Sequence, residues 1–262
     1  MDLIHHINWL YSVSGLAVGL LVGFTGVGGG SLMTPLLVLL FHIHPATAVG
    51  TDLLYAGMTK SVGTAVHGVR RTVDWGIVGR LAAGSVPAAA ITLLAMWKLH
   101  AKTEGPHGTI TTVLGVALIL TGVAILFRRM ILAFFADKVG DFAPGQRTAF
   151  TVLLGALLGV LVSLSSVGAG AIGVTVLLVL YPKLPAARLV GSDIAHAVPL
   201  TLLAGFGHWM MGTVDFALLA SLLVGSIPGI IIGSLLSSRT PDSVLRPILA
   251  STLALVGGRL FF

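Results

Sequence analysis

The chain contains no cysteine. Disulfides, thiolate metal sites and thiol catalysis are thereby excluded, and cysteine usage leaves the compartment open. Charge is nearly as scarce. Asp, Glu, Lys and Arg together make up 9% of the 262 residues, against roughly a quarter in a soluble globular domain. So few charges cannot solvate a water-soluble fold. Acidic residues are the rarer sign, with 9 Asp and Glu against 15 Lys and Arg and a formal net charge of +6. The basic residues sit mostly in short breaks between long apolar runs, which is the pattern of membrane topology anchors and not of a nucleic-acid surface. What the chain has in abundance is apolar residues, 56% of the total, and 34 glycines. Glycine at that level lets membrane helices pack closely or break. The composition is that of a polytopic α-helical membrane protein.

A helix needs about 20 apolar residues to cross the hydrocarbon of a bilayer. Long apolar stretches cover 8–25, 47–69, 75–97 and 109–127, then 148–165, 186–211, 216–236 and 244–262. Two shorter ones, 31–41 and 171–181, follow the glycine clusters Gly26-Val27-Gly28-Gly29-Gly30 and Gly168-Ala169-Gly170. Their length suits re-entrant or half helices better than full crossings. Irregular backbone at membrane depth is tolerated where it is buried or lines a cavity. The opening segment has no basic n-region and no A-x-A cleavage site, and reads as a retained helix. Counting basic residues in alternate connections puts Arg70, Arg71, Arg128, Arg129, Lys138, Arg147, Lys183, Arg188, Arg239 and Arg246 on one side. Lys98, Lys102 and Arg259 fall on the other. That asymmetry places the first side in the cytoplasm and both termini outside.

The chain is also duplicated. Gly15 and Gly19 match Gly155 and Gly159, Val27-Gly28-Gly29-Gly30 matches Val167-Gly168-Ala169-Gly170, and Pro45 matches Pro185, all at an offset of 140. At an offset of 141, Gly50-Thr51-Asp52 lies on Gly191-Ser192-Asp193, and His67 on His208. Thr72-Val73-Asp74 then falls on Thr213-Val214-Asp215, and Gly84-Ser85-Val86-Pro87 on Gly225-Ser226-Ile227-Pro228. Three full crossings plus a hairpin, or five full crossings, give each half an odd number, so the second half is inverted relative to the first. The expected fold is therefore an all-α membrane protein of two homologous halves, inverted repeats, with eight to ten helical segments. Residues 1–130 form the first repeat, 131–147 a cytoplasmic linker, and 148–262 the second repeat.

These residues carry a family resemblance. Gly26-x-Gly-Gly-Gly-Ser-Leu-x-x-Pro35-Leu-Leu, then Pro45 and Ala48-Val49-Gly50-Thr51, resembles the TauE/SafE family of sulfite and organosulfonate exporters. A weaker copy begins at Val167, so the resemblance spans essentially the whole chain. It implies a bacterial inner-membrane transporter that exports a small sulfur-containing anion. One departure concerns Asp52 and Asp193, which stand where the family often has a small polar residue.

Read by their chemistry, the glycine clusters come first. Backbone N–H groups at a break, ahead of a helix N-terminus, suit an anion, so Gly28, Gly29, Gly30 and Ser31, with Gly168, Ala169 and Gly170, are candidate substrate ligands. Close helix packing is the competing reading. Gly168 to Gly173 formally satisfies the dinucleotide fingerprint, but no strand precedes it. Lys60 stands near mid-span and could neutralise a bound anion or pair with Asp52. Its repeat counterpart is Thr201, so the halves differ there. Asp52 and Asp193 are intramembrane acids, a functional signal by default, and with His67 and His208 they are proton-coupling candidates. Bracing of helix ends is the plainer alternative for all four. Arg80 is placed to snorkel to the interface, and Asp74 and Asp215 to cap the helices that follow them. Asp193 with His196, or His42 with His44, offers too few ligands for a metal. No nucleophile–base arrangement marks an enzyme, and no P-loop marks an ATPase or a nucleotide cofactor. The reading is a secondary transporter whose partners are a small anion, the bilayer and a proton as coupling ion. An anion channel and an intramembrane enzyme or assembly subunit are the rival readings.

Overall fold

The computed structural model describes residues 8–25, 30–69, 71–98, 109–127, 130, 133–134, 143–168 and 170–236. Among these the chain forms nine helices and no strand. They are α1 (Trp9–Thr25), α2 (Gly30–Leu39), α3 (Pro45–Val69), α4 (Trp75–Lys98) and α5 (Thr109–Leu126), then α6 (Pro144–Ser165), α7 (Ala171–Leu180), α8 (Ala186–Met210) and α9 (Phe216–Leu236). The apolar stretch 244–262 and most of the expected linker lie outside the described residues. Helices α4, α6, α8 and α9 are long and apolar enough to cross a membrane. Helix α3 is as long as α8, 25 residues, and carries the buried Asp52, Lys60 and His67. Capping at two starts follows the sequence. Asp74 Oδ1 accepts from the N–H groups of Gly76 and Ile77 at 3.1 and 3.3 Å, opening α4. Asp215 Oδ1 does the same for Ala217 and Leu218 at 2.9 and 3.0 Å, opening α9.

The two short helices fold back on their predecessors. Phe41, just past α2, sets its ring edge-on to Tyr11 near the start of α1, with centroids 4.7 Å apart. Tyr181, just past α7, hydrogen-bonds Thr151 near the start of α6 through its hydroxyl at 2.8 Å. Tyr11 and Thr151 are repeat counterparts, and so are Phe41 and Tyr181. Each half thus begins with a helical hairpin, closed at its mouth by the same two positions with different chemistry.

Glycine seams join one helix of each half to one of the other. Gly15, Gly19 and Gly23 of α1 lie against the α9 backbone from Leu222 to Ser234, while Gly225, Gly229 and Gly233 of α9 lie against α1. The numbers rise together, so α1 and α9 run parallel. Helices α4 and α6 are likewise parallel, with Gly84 against Val152 and Ala156, and Gly155 and Gly159 against Leu81 and Ser85. A Cβ at Gly19 would sit 2.6 Å from the Ser226 carbonyl oxygen, backbone that cannot swing away. Gly19→Val is therefore expected to destabilise the protein by about 1–3 kcal/mol, seen as a lower melting temperature in detergent. Gly79, where an added Cβ meets nothing within 4 Å, supplies the control: Gly79→Ala should melt no lower than wild type. Equal melting of the two variants would mean that the seam is loose.

Helices α3 and α8 form the centre and run antiparallel. Gly50 meets Thr213, Gly57 meets Leu202, Gly63 meets Ile194, and Gly191 meets Thr72. Two hydrogen bonds tie the halves reciprocally. Thr51 Oγ1 accepts from the Asp215 N–H at 2.9 Å, and Ser192 Oγ from the Asp74 N–H at 2.8 Å. These are the same contact made twice with the halves exchanged. A rotation that exchanges two antiparallel helices has its axis across them, not along them.

Candidate functional site

The break between α6 and α7 has a backbone only certain residues adopt. Helix α6 ends as Ser166 turns left-handed, φ 58°. Gly168 and Gly170 follow at φ 120° and 124°, where an L side chain is strained, so glycine is needed at both. Gly170 then directly precedes α7, and its carbonyl accepts from the Val174 N–H at 2.9 Å. Of the expected substrate ligands, Gly168 and Gly170 frame this break, and Gly30 and Ser31 open α2. Gly28, Gly29 and Ala169 lie outside the described residues.

The break delivers a donor to the other half. Ser166 Oγ donates to Asp52 Oδ2 at 3.0 Å, and the Thr34 hydroxyl of α2 donates to the same oxygen. Each hydrogen bond to a charged acceptor is worth about 1.5–3 kcal/mol. Asp52 is thus fixed by both hairpins, although its Oδ1 has no hydrogen-bond partner. Asp193, equally buried on α8, has none at either oxygen. The difference follows from the sequence. The repeat counterpart of Thr34 is Val174, and that of Ser166 is Gly26, so neither carries a hydroxyl. Gly173 of α7 faces Asp193 instead, and a Cβ there would run into Asp193 Oδ1.

Lys60 is 2% exposed and is the only lysine or arginine buried among the described residues. It lies within electrostatic reach of both carboxylates and forms a salt bridge with neither. Along α3, eight residues rotate Asp52 by roughly 80° from Lys60. His196, one turn on from Asp193, is also near Lys60 and shares a 2.8 Å hydrogen bond with Ser85 through Nε2. Its repeat counterpart is Tyr55, whose hydroxyl lies beside the Thr59–Ser226 hydroxyl pair without a well-formed bond to either. Thr201, the counterpart of Lys60, turns its hydroxyl onto the Ala197 carbonyl of its own helix at 2.7 Å.

The structure brings Asp52, Lys60 and Asp193 together but not the two repeat-related histidines. His67 Nδ1 meets Thr72 Oγ1 at 2.9 Å at the end of α3, and His208 Nδ1 meets Thr213 Oγ1 at 3.0 Å at the end of α8. His208 Nε2 also donates to the Ser163 carbonyl at 2.9 Å. Fifteen residues separate His208 from Asp193, about 22 Å along an ideal helix. At the opposite end of α8, Arg80 donates to the Tyr181 hydroxyl at 3.2 Å and Arg147 lies over the Tyr181 ring. Arg80 thus reaches toward the residue just past the end of α7. Residues that sequence reasoning passed over are Thr34, Ser166, Ser85 and Gly173. Ser166 carried a signal as a polar residue two places before a glycine break.

A family model described as "Sulfite exporter TauE/SafE" matches residues 11–260 of this chain. The chain belongs to that family. Its relatives include the "Probable membrane transporter protein YjnA" of Bacillus subtilis (strain 168), 38% identical over 94% of this chain and 96% of the relative. The "Probable membrane transporter protein YdhB" of the same organism is 30% identical over 94% of this chain and 96% of that protein. No solved structure matches the chain. With four apolar spans among the described residues and transporter relatives across nearly its full length, this TauE/SafE member is a multi-pass membrane transporter.

Proposed function

We propose that this transporter carries a small sulfur-containing anion, of the sulfite or organosulfonate class, out of the cell through a site at Lys60 between the two halves. The observation that carries this reading is Lys60 itself. A buried cation without a salt bridge stands at the contact between α3 and α8, and a desolvated ammonium favours an anionic partner. The glycine-framed start of α7 adds backbone N–H groups of the kind that hold anions. Antiparallel exchange of α3 and α8 supports an inverted arrangement. With those helices along the bilayer normal, the two-fold axis lies in the membrane plane, as in transporters that alternate access around a midplane site. The substrate class and outward direction draw on the family.

Uptake into proteoliposomes tests it, with sulfite, thiosulfate, sulfate, methanesulfonate and small carboxylates as the panel. Saturable flux with counterflow for sulfite or methanesulfonate, well above that for carboxylates, is the expected result. Equal rates for carboxylates would remove the substrate class, and unitary currents would replace the carrier with a channel.

A further inference from the structure

Lys60 shares its buried layer with two carboxylates. With Asp52 and Asp193 both ionised, that layer holds one positive and two negative formal charges. An anion arriving at Lys60 then adds a further negative charge where water is excluded and like charges repel more strongly than in solution. If a proton arrives with each monovalent anion, the net charge of the layer stays the same on loading. The two carboxylates are not equivalent places for that proton. Asp52 Oδ2 already accepts from Thr34 and Ser166, and those donors come from two separate hairpins. Neither oxygen of Asp193 accepts a hydrogen bond, so a proton there displaces no existing donor. Gly173 keeps the space beside Asp193 Oδ1 free of a side chain.

Building on the anion site at Lys60 proposed above, we infer that each monovalent anion is taken up with one proton, and that Asp193, not Asp52, holds it. The proton comes from the aqueous phase on the loading side, attaches to a carboxylate oxygen of Asp193, and leaves with the anion on the other side. The ionisable groups near Asp193 are Lys60 on α3, itself within reach of Asp52, and His196 on α8. His196 is engaged with Ser85 through Nε2. Tyr55 and His67 of α3 turn to the Thr59–Ser226 pair and to Thr72. Helix α7 has no ionisable side chain, α6 has only Arg147 at its start, and α4 has Arg80, bonded to Tyr181, and Lys98 at its end.

Calorimetry on the full chain in detergent reads this directly, with methanesulfonate as the probe because it stays a monoanion across the accessible pH range. Titrations in buffers of different ionisation enthalpy give the number of protons bound per sulfonate. Wild type should take up one, and its affinity should fall about tenfold per pH unit on the alkaline limb. Asp52→Asn should keep that uptake, while Asp193→Asn should bind with no proton and with affinity independent of pH. Wild-type binding without proton uptake overturns the inference and leaves the anion site standing. Uptake that disappears in Asp52→Asn overturns the assignment to Asp193, even if Asp193→Asn yields no folded protein. Failure of wild type to bind methanesulfonate, sulfite or thiosulfate overturns the site and this inference together.

Discussion

Lys60→Met is expected to lower anion affinity about a hundredfold, the scale of about 2–5 kcal/mol found when one charge of a desolvated interaction is removed. The variant also removes the cation within electrostatic reach of the buried Asp193, so a loss of stability is expected beside the loss of binding. Lost binding by Lys60→Met alone is therefore ambiguous between a missing ligand and a damaged fold. The double variant Lys60→Met/Asp193→Asn separates the two. With both charges gone, the melting temperature should return toward wild type while anion affinity stays low. Lys60→Met/Asp52→Asn should recover less stability, because Asp52 keeps its Thr34 and Ser166 donors whether or not Lys60 is present. Binding in detergent and thermal unfolding, measured on all three, decide the matter. Near-normal binding in the first double variant would remove Lys60 from the site.

The second large effect is expected at Gly170. At φ 124° and ψ −78° its backbone lies outside the regions open to a branched side chain. Gly170→Val can relieve strain of about 1–3 kcal/mol only by rewinding the break. Rewinding would carry Ser166 off Asp52 and shift the start of α7. Transport in proteoliposomes should be lost while folded protein persists. Gly212 is the matched control, with φ 74° in the turn after α8 and open space around it. Gly212→Ala imposes left-handed strain of about 1–2 kcal/mol away from the site, so it should melt lower and still transport. Normal transport by Gly170→Val would reduce the break to a packing device.

Much of this architecture was legible from local features. The helices, the half-length of α2 and α7, the duplication and the caps at Asp74 and Asp215 each rest on residues close together in the chain. The intramembrane Asp52, Lys60 and Asp193 stood out because charge is so rare among their neighbours. What escaped was partner choice across helices. Lys60 lies within reach of Asp193 on α8 as well as of Asp52 on its own helix, and periodicity along α3 cannot foresee that. The hydroxyl donors to Asp52 come from α2 and from the α6–α7 break, two segments brought together only by tertiary packing. Repeat comparison held one unread clue. Setting Thr34 against Val174, and Ser166 against Gly26, already marks Asp52 as the carboxylate with donors and Asp193 as the one without.

The glycine seam between α1 and α9 also bears on how the chain is made. Ser12 and Ser221, bonded across that seam at 2.7 Å, are 209 residues apart. At ribosomal rates of about 5–20 residues per second, α1 waits on the order of 10–40 s for its partner to be synthesised. During that interval the face formed by Gly15, Gly19 and Gly23 has no helix to receive it and must be sheltered by lipid or by the insertion machinery. The first repeat should therefore not fold as an independent unit. Truncation before α9 should yield a nascent protein cleared by membrane proteases, while the two repeats expressed as separate chains should rescue one another.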